Sequence, residues 1–469
     1  MYHTQLEEHY SGLAYHYGHS DNTQKAVEYL RLAGQQALQR SANAVAIAHL
    51  TNGLELLRRL PDIPHRAQQE LALQIALAAV LVATQGYAAP AVKSIYTRAQ
   101  ELCRQVGDTP QLFSVLNGLR RFFYIRAEFT KARELAEQLL DLAERGHDRA
   151  LLVLAHQALG VVSWSLAELI AAQEHLVQGS ALYDPRQHRF YALLYGEDPS
   201  VICLSFDTWV SWLLGYPDQA LEKSHRALSL ARELSHPLSL ALSLNFAAWL
   251  HQLRGEMQPV QERIQAAIAI TSEQGFPYWL AQETILGGWA LTGQGEGEAG
   301  IAQMRQGLTA YRATGGTLTA TYFLALLAEA YGKIGRAEEG LSVLAEALAT
   351  ADTSGERFYE AELYRLKGEL TLQRLNFQNI GANSRSLIHN PQAEAAETSF
   401  RRAIEIASRQ QAKSLELRAV MSLSRLWQEQ GRKPEAQQIL ANIYGWFTEG
   451  FDTIDLRAAK ALLVELGDS

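Results

Sequence analysis

Small and large apolar residues recur along this chain at a spacing typical of packed helices. A small residue is followed four positions later by a large one and three positions after that by a second small one, as in Ala172, Leu176 and Gly179. Positions separated by four and seven residues share one face of a helix, so each triplet predicts one buried helical face. The triplets begin at Ala132, Ala172, Ala220, Val260, Gly300, Gly340, Ala396 and Ala436.

Consecutive triplets are 40, 48, 40, 40, 40, 56 and 40 residues apart, which indicates structural repeats interrupted by insertions of 8 and 16 residues. A second column, mostly of small residues, lies twelve positions before the triplets. Turn signals such as GYPD (215–218) and GQGEG (293–297) separate the two columns. Each repeat is therefore predicted to be a helix A, a short turn and a helix B. The second column consists of Arg120, Gly160, Thr208, Ala248, Gly288, Ala328 and Ser424.

This pattern resembles the tetratricopeptide repeat, which has small residues at its eighth, twentieth and twenty-seventh positions and a usual length of about 34 residues. The resemblance implies an all-α, right-handed superhelix of helix pairs, here with a period of about 40 residues. We predict divergent helical repeats over 1–110, the regular superhelix over 111–445 and a C-terminal capping helix within 446–469.

The two insertions differ in composition. Residues 184–200 carry prolines at both ends with three aromatic residues and one histidine, which is consistent with an ordered loop. Residues 375–392 are rich in Asn, Ser and Gln, and we expect them to form a mobile excursion from an inter-helix turn.

Composition and charge exclude several classes of protein. Hydrophobic residues make up 48% of the 469 positions and only 12 residues are proline, which suits a large helical core. The net charge of −8 and the lack of a basic stripe argue against nucleic-acid and anionic membrane partners. The most apolar stretch, 76–83, is too short to span a membrane, and the N-terminus lacks the layout of a signal peptide, so we predict a cytoplasmic, bacterial protein.

Catalytic and metal-binding motifs are missing from the sequence. It contains no phosphate-binding loop, no G-x-S-x-G and no H-E-x-x-H, and no two of its 14 histidines are four residues apart. Cys103 and Cys203 form neither a disulfide framework nor a metal pattern. Gly295-x-Gly297-x-x-Gly300 matches a dinucleotide fingerprint by letter, but a helix is predicted before it where the fingerprint needs a strand. We therefore predict no enzymatic activity, no cofactor and no metal.

One row of aromatic residues is a candidate binding groove. Trp209, Trp249 and Trp289 follow one another at one-repeat intervals, in a register that usually faces the concave groove of such a superhelix, and Trp212 lies nearby. Aromatic rings flanked by amides can grip a ligand, whereas packing between successive A helices is the alternative. The polar residues four positions before this column are Asn117, Gln157, Ser205 and Asn245.

Several segments resemble the C-terminal repeat region of bacterial proteins that join a class III adenylate/guanylate cyclase domain to an AAA-type signalling NTPase. They are SANAVAIAHLTNGLELLRRLPDIPHRAQQELALQ (41–74), YRLKGEL (364–370), QQAKSLELRAVMSLSRLW (410–427) and GWFTEGFDTIDLRAAKALL (445–463). The segment 6–38 resembles the junction after the NTPase module, while neither the metal-binding aspartates nor the phosphate loop is found in this chain.

The resemblance implies that the chain is a fragment or a split gene product. It also implies a non-catalytic regulatory scaffold that binds a protein or peptide, with the upstream cyclase and NTPase domains as the nearest partners. The alternative function is a small-molecule sensor whose groove gates an attached NTPase or cyclase.

Overall fold

The chain forms an all-α structure, as the repeat pattern predicts. The computed structural model describes residues 9–20, 22–40, 42–60, 64–107, 110–187, 197–378 and 390–467, and these ranges contain 22 α-helices and no β-strand. Pro185–Gln187 adds a single 3₁₀ turn. The α-helices are α1 Tyr10–Gly18, α2 Thr23–Gln39, α3 Asn43–Leu57, α4 Pro64–Gln85, α5 Pro90–Val106, α6 Leu112–Ile125, α7 Phe129–Arg145, α8 Arg149–Ser165, α9 Leu169–Leu182, α10 Pro199–Leu214, α11 Pro217–Leu234, α12 Pro237–Leu253, α13 Met257–Gln274, α14 Pro277–Gly293, α15 Gly297–Ala313, α16 Ala320–Lys333, α17 Ala337–Ser354, α18 Glu360–Gln378, α19 Pro391–Arg409, α20 Lys413–Glu429, α21 Lys433–Tyr444 and α22 Ile454–Gly467.

The helices belong to two compact units. Unit 1 comprises Met1–Leu142 with Thr314–Gly316, and unit 2 comprises Ala143–Ala313 with Thr317–Ser469. In unit 1 each of α1 to α5 packs on the next helix in sequence. In unit 2, α8 to α21 pack as seven consecutive A–B pairs and α22 covers α20 and α21. The division after Leu142 does not coincide with the segment boundaries at 110 and 445 that the sequence suggests, and those segments stay a prediction.

The turn between helix A and helix B has the same backbone geometry in most repeats. A residue with positive φ begins the turn, which lets the chain reverse direction within a few residues. Glycine adopts this conformation without the steric cost that a Cβ adds. Gly295 is one of them, and it stands between α14 and α15, so the dinucleotide-like motif is an inter-helix turn as predicted. The turn residues are Ala127, Ala167, Gly215, Gly255, Gly295, Gly335 and Gly431.

The columns of small residues mark close helix–helix contacts. A Cβ added to Gly288 of α14 would lie 2.6 Å from the carbonyl oxygen of Gly300 in α15, and one added to Gly300 would lie 2.4 Å from that of Gly288. Only glycine allows two backbones to approach this closely. The second small residue of the triplets is buried throughout, as predicted from the spacing, at Gly179, Ala227, Ala267, Gly307, Ala347 and Ala403.

This register predicts that Ala267→Leu destabilises unit 2 by about 1–3 kcal/mol, because Ala267 is fully buried against Leu228 and Ala247 and a larger side chain overpacks that contact. The matched control is Ala266→Leu, which places the same side chain on the exposed face of α13 and should change stability by less than about 0.5 kcal/mol. Urea unfolding of both variants measures the difference, and equal midpoints would contradict the register.

The C-terminal helix and the two insertions complete the fold. α22 buries Leu456, Ala459, Leu462 and Leu466 against the last repeat, as expected of a capping helix. The first insertion includes the 3₁₀ turn and the start of α10, while its residues 188–196 lie outside the described part of the chain. In the second, α18 continues to Gln378 and α19 begins at Pro391, and residues 379–389 lie outside the described part.

Candidate functional site: the inner helices of unit 2

The A helices of unit 2 are buried on nearly every side. All residues of α10 are buried, and α12 is buried from Leu238 to Leu253 apart from Leu240. A helix that is apolar all round is suited to the interior rather than to a surface. These helices therefore make a second core, in addition to the contacts within each A–B pair.

A closed circuit of aromatic rings fills the space between these helices. The ring of Trp249 is stacked between Trp209 and Tyr322, at centroid distances of 4.5 Å and 4.1 Å. Trp164 contacts Trp209 at 5.1 Å and Phe358 at 4.1 Å. The ring centroid of Phe358 lies 6.3 Å from that of Tyr322, so the contacts among the five rings form a closed loop. We call these five residues the aromatic circuit; it joins repeats that are far apart in sequence.

The remaining tryptophans of the predicted row lie outside the aromatic circuit. The Nε1–H of Trp289 donates to the carboxylate of Glu329 at 3.0 Å, and the ammonium of Lys333 lies 4.9 Å from its ring. Trp212 packs under the guanidinium of Arg418 at 4.9 Å. The structure thus brings Trp209 and Trp249 into direct contact and gives Trp289 and Trp212 charged neighbours instead.

All four tryptophans are buried in this structure. Trp209, Trp249 and Trp289 are 2% exposed and Trp212 is 3% exposed, so none presents an open ring face to a ligand. The arrangement is that of the packing alternative. Ligand binding by this row stays a prediction, and it requires the surrounding helices to separate first.

The polar column beside the tryptophans is also buried. Gln157 donates to Glu197 at 3.4 Å, and Asn245 donates to Gln282 at 3.3 Å. Asn117 belongs to unit 1, where its side-chain oxygen accepts from Arg120, so the structure does not group it with the other two. Several buried polar atoms of the inner helices have no hydrogen-bond partner among the described residues: Trp164 Nε1, Ser205 Oγ, Ser243 Oγ, Asn245 Oδ1, Trp249 Nε1 and Glu283 Oε1.

Glu449 and Gly450, which precede α22, form hydrogen bonds with the N-terminal end of α11. The backbone N–H groups of Asp218 and Gln219 donate to Glu449 at 3.0 and 3.1 Å, and the N–H of Gly450 donates back to the Asp218 carboxylate at 2.9 Å. The first N–H groups of a helix have no partner within the helix and favour a negative charge nearby. Glu449 therefore acts as an N-terminal cap supplied from more than 200 residues away.

Side chains from the first two turns of α20 donate hydrogen bonds to carbonyl groups at the C-terminal ends of α10 and α12. Ser414 donates to the carbonyl oxygen of Trp212, and Arg418 donates to that of Leu253. Arg418 also pairs with Asp455 at 2.8 Å. Cationic donors satisfy the last carbonyls of a helix, which carry partial negative charge. The contacts of Ser414, Arg418, Glu449 and Gly450 with α10 to α12 are called the closing contacts below.

A buried ion pair supports Arg418 from the neighbouring repeat. Glu362, which is 3% exposed, pairs with Arg365 at 2.7 Å and lies 3.8 Å from Arg418. Burial by itself would raise the pKa of Glu362, but the two guanidinium groups outweigh it and hold that pKa below its usual range. The sequence pattern gives no sign that Glu362 and Arg418 meet, because they lie on two helices whose proximity only the tertiary structure determines.

Two other buried carboxyl groups form no ion pair with the residues that the structure describes. Burial raises the pKa of Glu283 to about 7, and a hydrogen bond from Thr271 at 2.6 Å opposes the shift in part. Burial likewise raises the pKa of Glu356 to about 7, against hydrogen bonds from Thr319 N–H and the Thr321 hydroxyl. Desolvation disfavours the charged form of a carboxyl group, so a pKa of about 7 leaves each of these side chains only partly ionised at neutral pH.

Unit 1 contains a polar cleft of about 310 Å³. Arg58, Arg66 and Arg98 reach it from three different helices or their ends, and Leu54 and Leu57 form an apolar wall. Glu70 and Gln74 complete the lining.

None of the described helices combines the length and apolar character that crossing a bilayer requires. Within the described ranges, no three His, Cys, Asp or Glu side chains are placed to share a metal ion.

Comparison with known proteins supports the repeat fold. No family model matches the chain. An uncharacterized protein of Rhizobium meliloti (strain 1021) is 22% identical over 420 residues, which cover 88% of this chain and 39% of that protein. The chain thus spans about two fifths of the length of the curated relative that it matches.

Among solved structures, a Rap protein complexed with competence and sporulation factor aligns with a TM-score of 0.56 at 13% identity, covering 82% of this chain and 98% of that one. A STAND protein with a tetratricopeptide repeat sensor from Pyrococcus horikoshii aligns with a TM-score of 0.44 at 14% identity, covering 88% and 56%. The alignment with the Rap protein shows a similar fold, and the consecutive A–B helix pairs are those expected of a tetratricopeptide-like repeat.

Proposed function

We propose that this chain is a non-catalytic regulatory scaffold that binds a peptide segment of a protein partner on the inner helices of unit 2. The observation that carries the proposal is that unit 2 contains both the aromatic circuit and the polar closing contacts at the ends of α10, α11 and α12. The circuit is a large apolar surface of the kind that peptide-binding grooves use. The closing contacts, which join α20 and the residues before α22 to α10, α11 and α12, are mainly hydrogen bonds and ion pairs, and such contacts compete with water and open at smaller cost than an apolar core.

The unpaired polar atoms of the inner helices favour a peptide as the ligand. Asn245 Oδ1, Ser205 Oγ and the indole N–H groups of Trp164 and Trp249 have no hydrogen-bond partner in the part of the chain that the structure describes. Buried polar groups without partners are rare in native structures, so each needs an explanation. A peptide backbone offers one N–H donor and one carbonyl acceptor per residue, which could pair with these atoms once the helices separate.

The partner of this proposal is an upstream cyclase or signalling NTPase module. Its support is the resemblance of four segments to the repeat region of such proteins, namely 41–74, 364–370, 410–427 and 445–463. A fold similar to that of a Rap protein complexed with competence and sporulation factor is consistent with a regulatory repeat domain.

The non-catalytic assignment predicts that the purified chain neither cyclises nor hydrolyses ATP or GTP. The described residues contain no metal-sharing cluster, and the sequence has no phosphate loop. A radiolabelled-nucleotide assay after stringent purification measures this, with an active cyclase as the positive control. Turnover that copurifies with the chain through successive columns would contradict the assignment.

Regulation is tested by adding the chain to a purified cyclase–NTPase module from a protein of the class that its repeat segments resemble and measuring nucleotide turnover. We expect wild-type chain to change the turnover rate, and Glu449→Ala to shift the concentration needed, because it removes three closing contacts at α11. The control is Glu465→Ala, an exposed carboxylate on α22. Turnover that is unaffected by wild-type chain would overturn the regulatory proposal, and equal shifts in both variants would overturn the role of the closing contacts.

A small-molecule sensor is the second candidate function. The observation that favours it is the arginine-lined cleft of unit 1, whose volume of about 310 Å³ lies at the lower end of the range for small-molecule sites.

A further inference from the structure

We propose that unit 1 carries a docking surface for an acidic segment of a protein partner, at the place where the end of α6 meets the first turns of α5 and α7. All of its residues belong to unit 1, so the proposal does not rest on peptide binding by unit 2. We call this surface the basic edge, and it consists of Lys93, Phe122, Phe123, Arg126, Glu128 and Lys131.

Two adjacent aromatic rings gather the cations of the basic edge. The ammonium of Lys93 lies 6.0 Å from the ring centroid of Phe122 and 5.6 Å from that of Phe123. The guanidinium of Arg126 lies 5.6 Å from the Phe122 centroid, and the ammonium of Lys131 lies 5.0 Å from the Phe123 centroid. The negative face of an aromatic ring attracts a cation. The two rings therefore hold three side chains of like charge close together.

The basic edge has one carboxylate for its three cations. Glu128 accepts from Lys131 at 2.7 Å and from Arg126 at 3.3 Å, so a single negative charge is shared between two positive ones. Lys93 is exposed and forms no ion pair with the residues that the structure describes. The local charge is thus positive in a chain whose net charge is −8. Like charges held together repel each other, and a further carboxylate beside Lys93 relieves that repulsion.

The ligand that fits the basic edge is a short stretch of Asp and Glu residues with an apolar side chain beside them. Charge complementarity selects the carboxylates, and the half-buried ring of Phe123 offers the apolar contact next to Lys93 and Lys131. Nucleic acids and anionic membranes are held by many basic residues spread over a larger surface. The basic edge is confined to the ends of three helices, and the net charge of the chain opposes a large polyanion.

The test measures the fluorescence anisotropy of a labelled peptide of alternating glutamate and leucine on the full chain, at constant ionic strength. Lys93→Gln removes the cation that has no acidic partner. Its control is Arg104→Gln, because Arg104 is exposed on the same helix about 17 Å further along. Glu128→Gln removes the carboxylate of the basic edge, and its control is Glu137→Gln, which makes the same charge change at an exposed position of α7.

We expect the glutamate peptide to bind wild type, and a peptide with glutamine in place of glutamate not to bind. Lys93→Gln should weaken binding about tenfold and Glu128→Gln should tighten it about threefold, because the first removes an attraction and the second removes a repulsion. Both controls should stay within about twofold of wild type, since screening weakens distant exposed charges. Circular dichroism verifies the fold of each variant, and a tightening cannot come from lost structure.

The proposal is overturned if the glutamate peptide does not bind, if Lys93→Gln and Arg104→Gln lose the same affinity, or if Glu128→Gln does not tighten binding. Competition identifies the class of ligand. Unlabelled glutamate peptide should displace the probe from the basic edge. Stronger displacement by an oligonucleotide of the same charge, or by phosphatidylserine vesicles, would assign this surface to nucleic acid or to membranes and overturn the proposal.

Discussion

Replacing Trp249 with alanine should cost unit 2 about 3–5 kcal/mol of folding free energy, as expected for truncating a large buried aromatic side chain. Trp249 is 2% exposed, and its ring is stacked on both faces, against Trp209 and Tyr322. Its removal leaves a cavity at the centre of the aromatic circuit, where α12 contacts α10 and α16. Chemical unfolding followed by far-ultraviolet circular dichroism measures the loss.

Two further variants show whether the stability comes from ring stacking at Trp249 or from the loss of any large tryptophan side chain. Trp249→Phe keeps a ring in the stack and removes an N–H group that has no hydrogen-bond partner among the described residues. Its loss of folding free energy should therefore be less than half that of Trp249→Ala. Trp446→Ala removes a tryptophan that is 37% exposed and should cost about 1 kcal/mol or less. If Trp249→Ala were as stable as wild type but bound the partner peptide more weakly, the row would be a binding surface rather than packing.

Stability should fall as pH rises from about 5 to 8, because Glu283 and Glu356 have pKa values raised to about 7 in the folded state. In the unfolded chain both ionise near their ordinary pKa of 4.5, so between these values the folded state binds more protons. The free energy of unfolding therefore decreases with increasing pH in this window, and it levels off above the folded-state pKa. A shift of this size corresponds to about 3 kcal/mol per group.

The double variant Glu283→Gln and Glu356→Gln should remove most of this pH dependence and be more stable than wild type at pH 8. Glutamine keeps the shape of the side chain and an oxygen that accepts from Thr271 or from Thr319 N–H. Glu465→Gln, on the exposed face of α22, is the matched control and should follow the wild-type profile. Parallel profiles for wild type and the double variant would show that these two carboxyl groups do not control the pH response.

The closing contacts illustrate what sequence reasoning could not reach. Glu449 and Gln219 lie 230 residues apart, and nothing in the spacing of either segment indicates that they meet. Such contacts depend on how far each repeat rotates against the next, and small rotations accumulate over several repeats. Arg418 and Glu362 escaped notice for the same reason, since charged residues on a helix are usually solvated.

The tryptophan row is a second case in which the sequence predicts one feature and the tertiary structure determines another. The spacing of Trp209, Trp249 and Trp289 correctly places them at equivalent positions of successive A helices. It does not say whether the surface they form is open. In the structure, Tyr322 and Phe358 from later repeats cover that surface, so its burial follows from residues that share no column with the tryptophans.

The sequence by itself determined the all-α class, the A–B helix pairs, the turn at Gly295 and the burial of Ala267, because these features depend on local helical periodicity and on contacts between neighbours in the chain. The tertiary structure alone decided the division after Leu142, the aromatic circuit, the closing contacts and the cleft beside Arg58. The physical reason is range: a repeat pattern fixes how each helix packs on the next, whereas contacts between distant repeats depend on geometry summed over the whole unit.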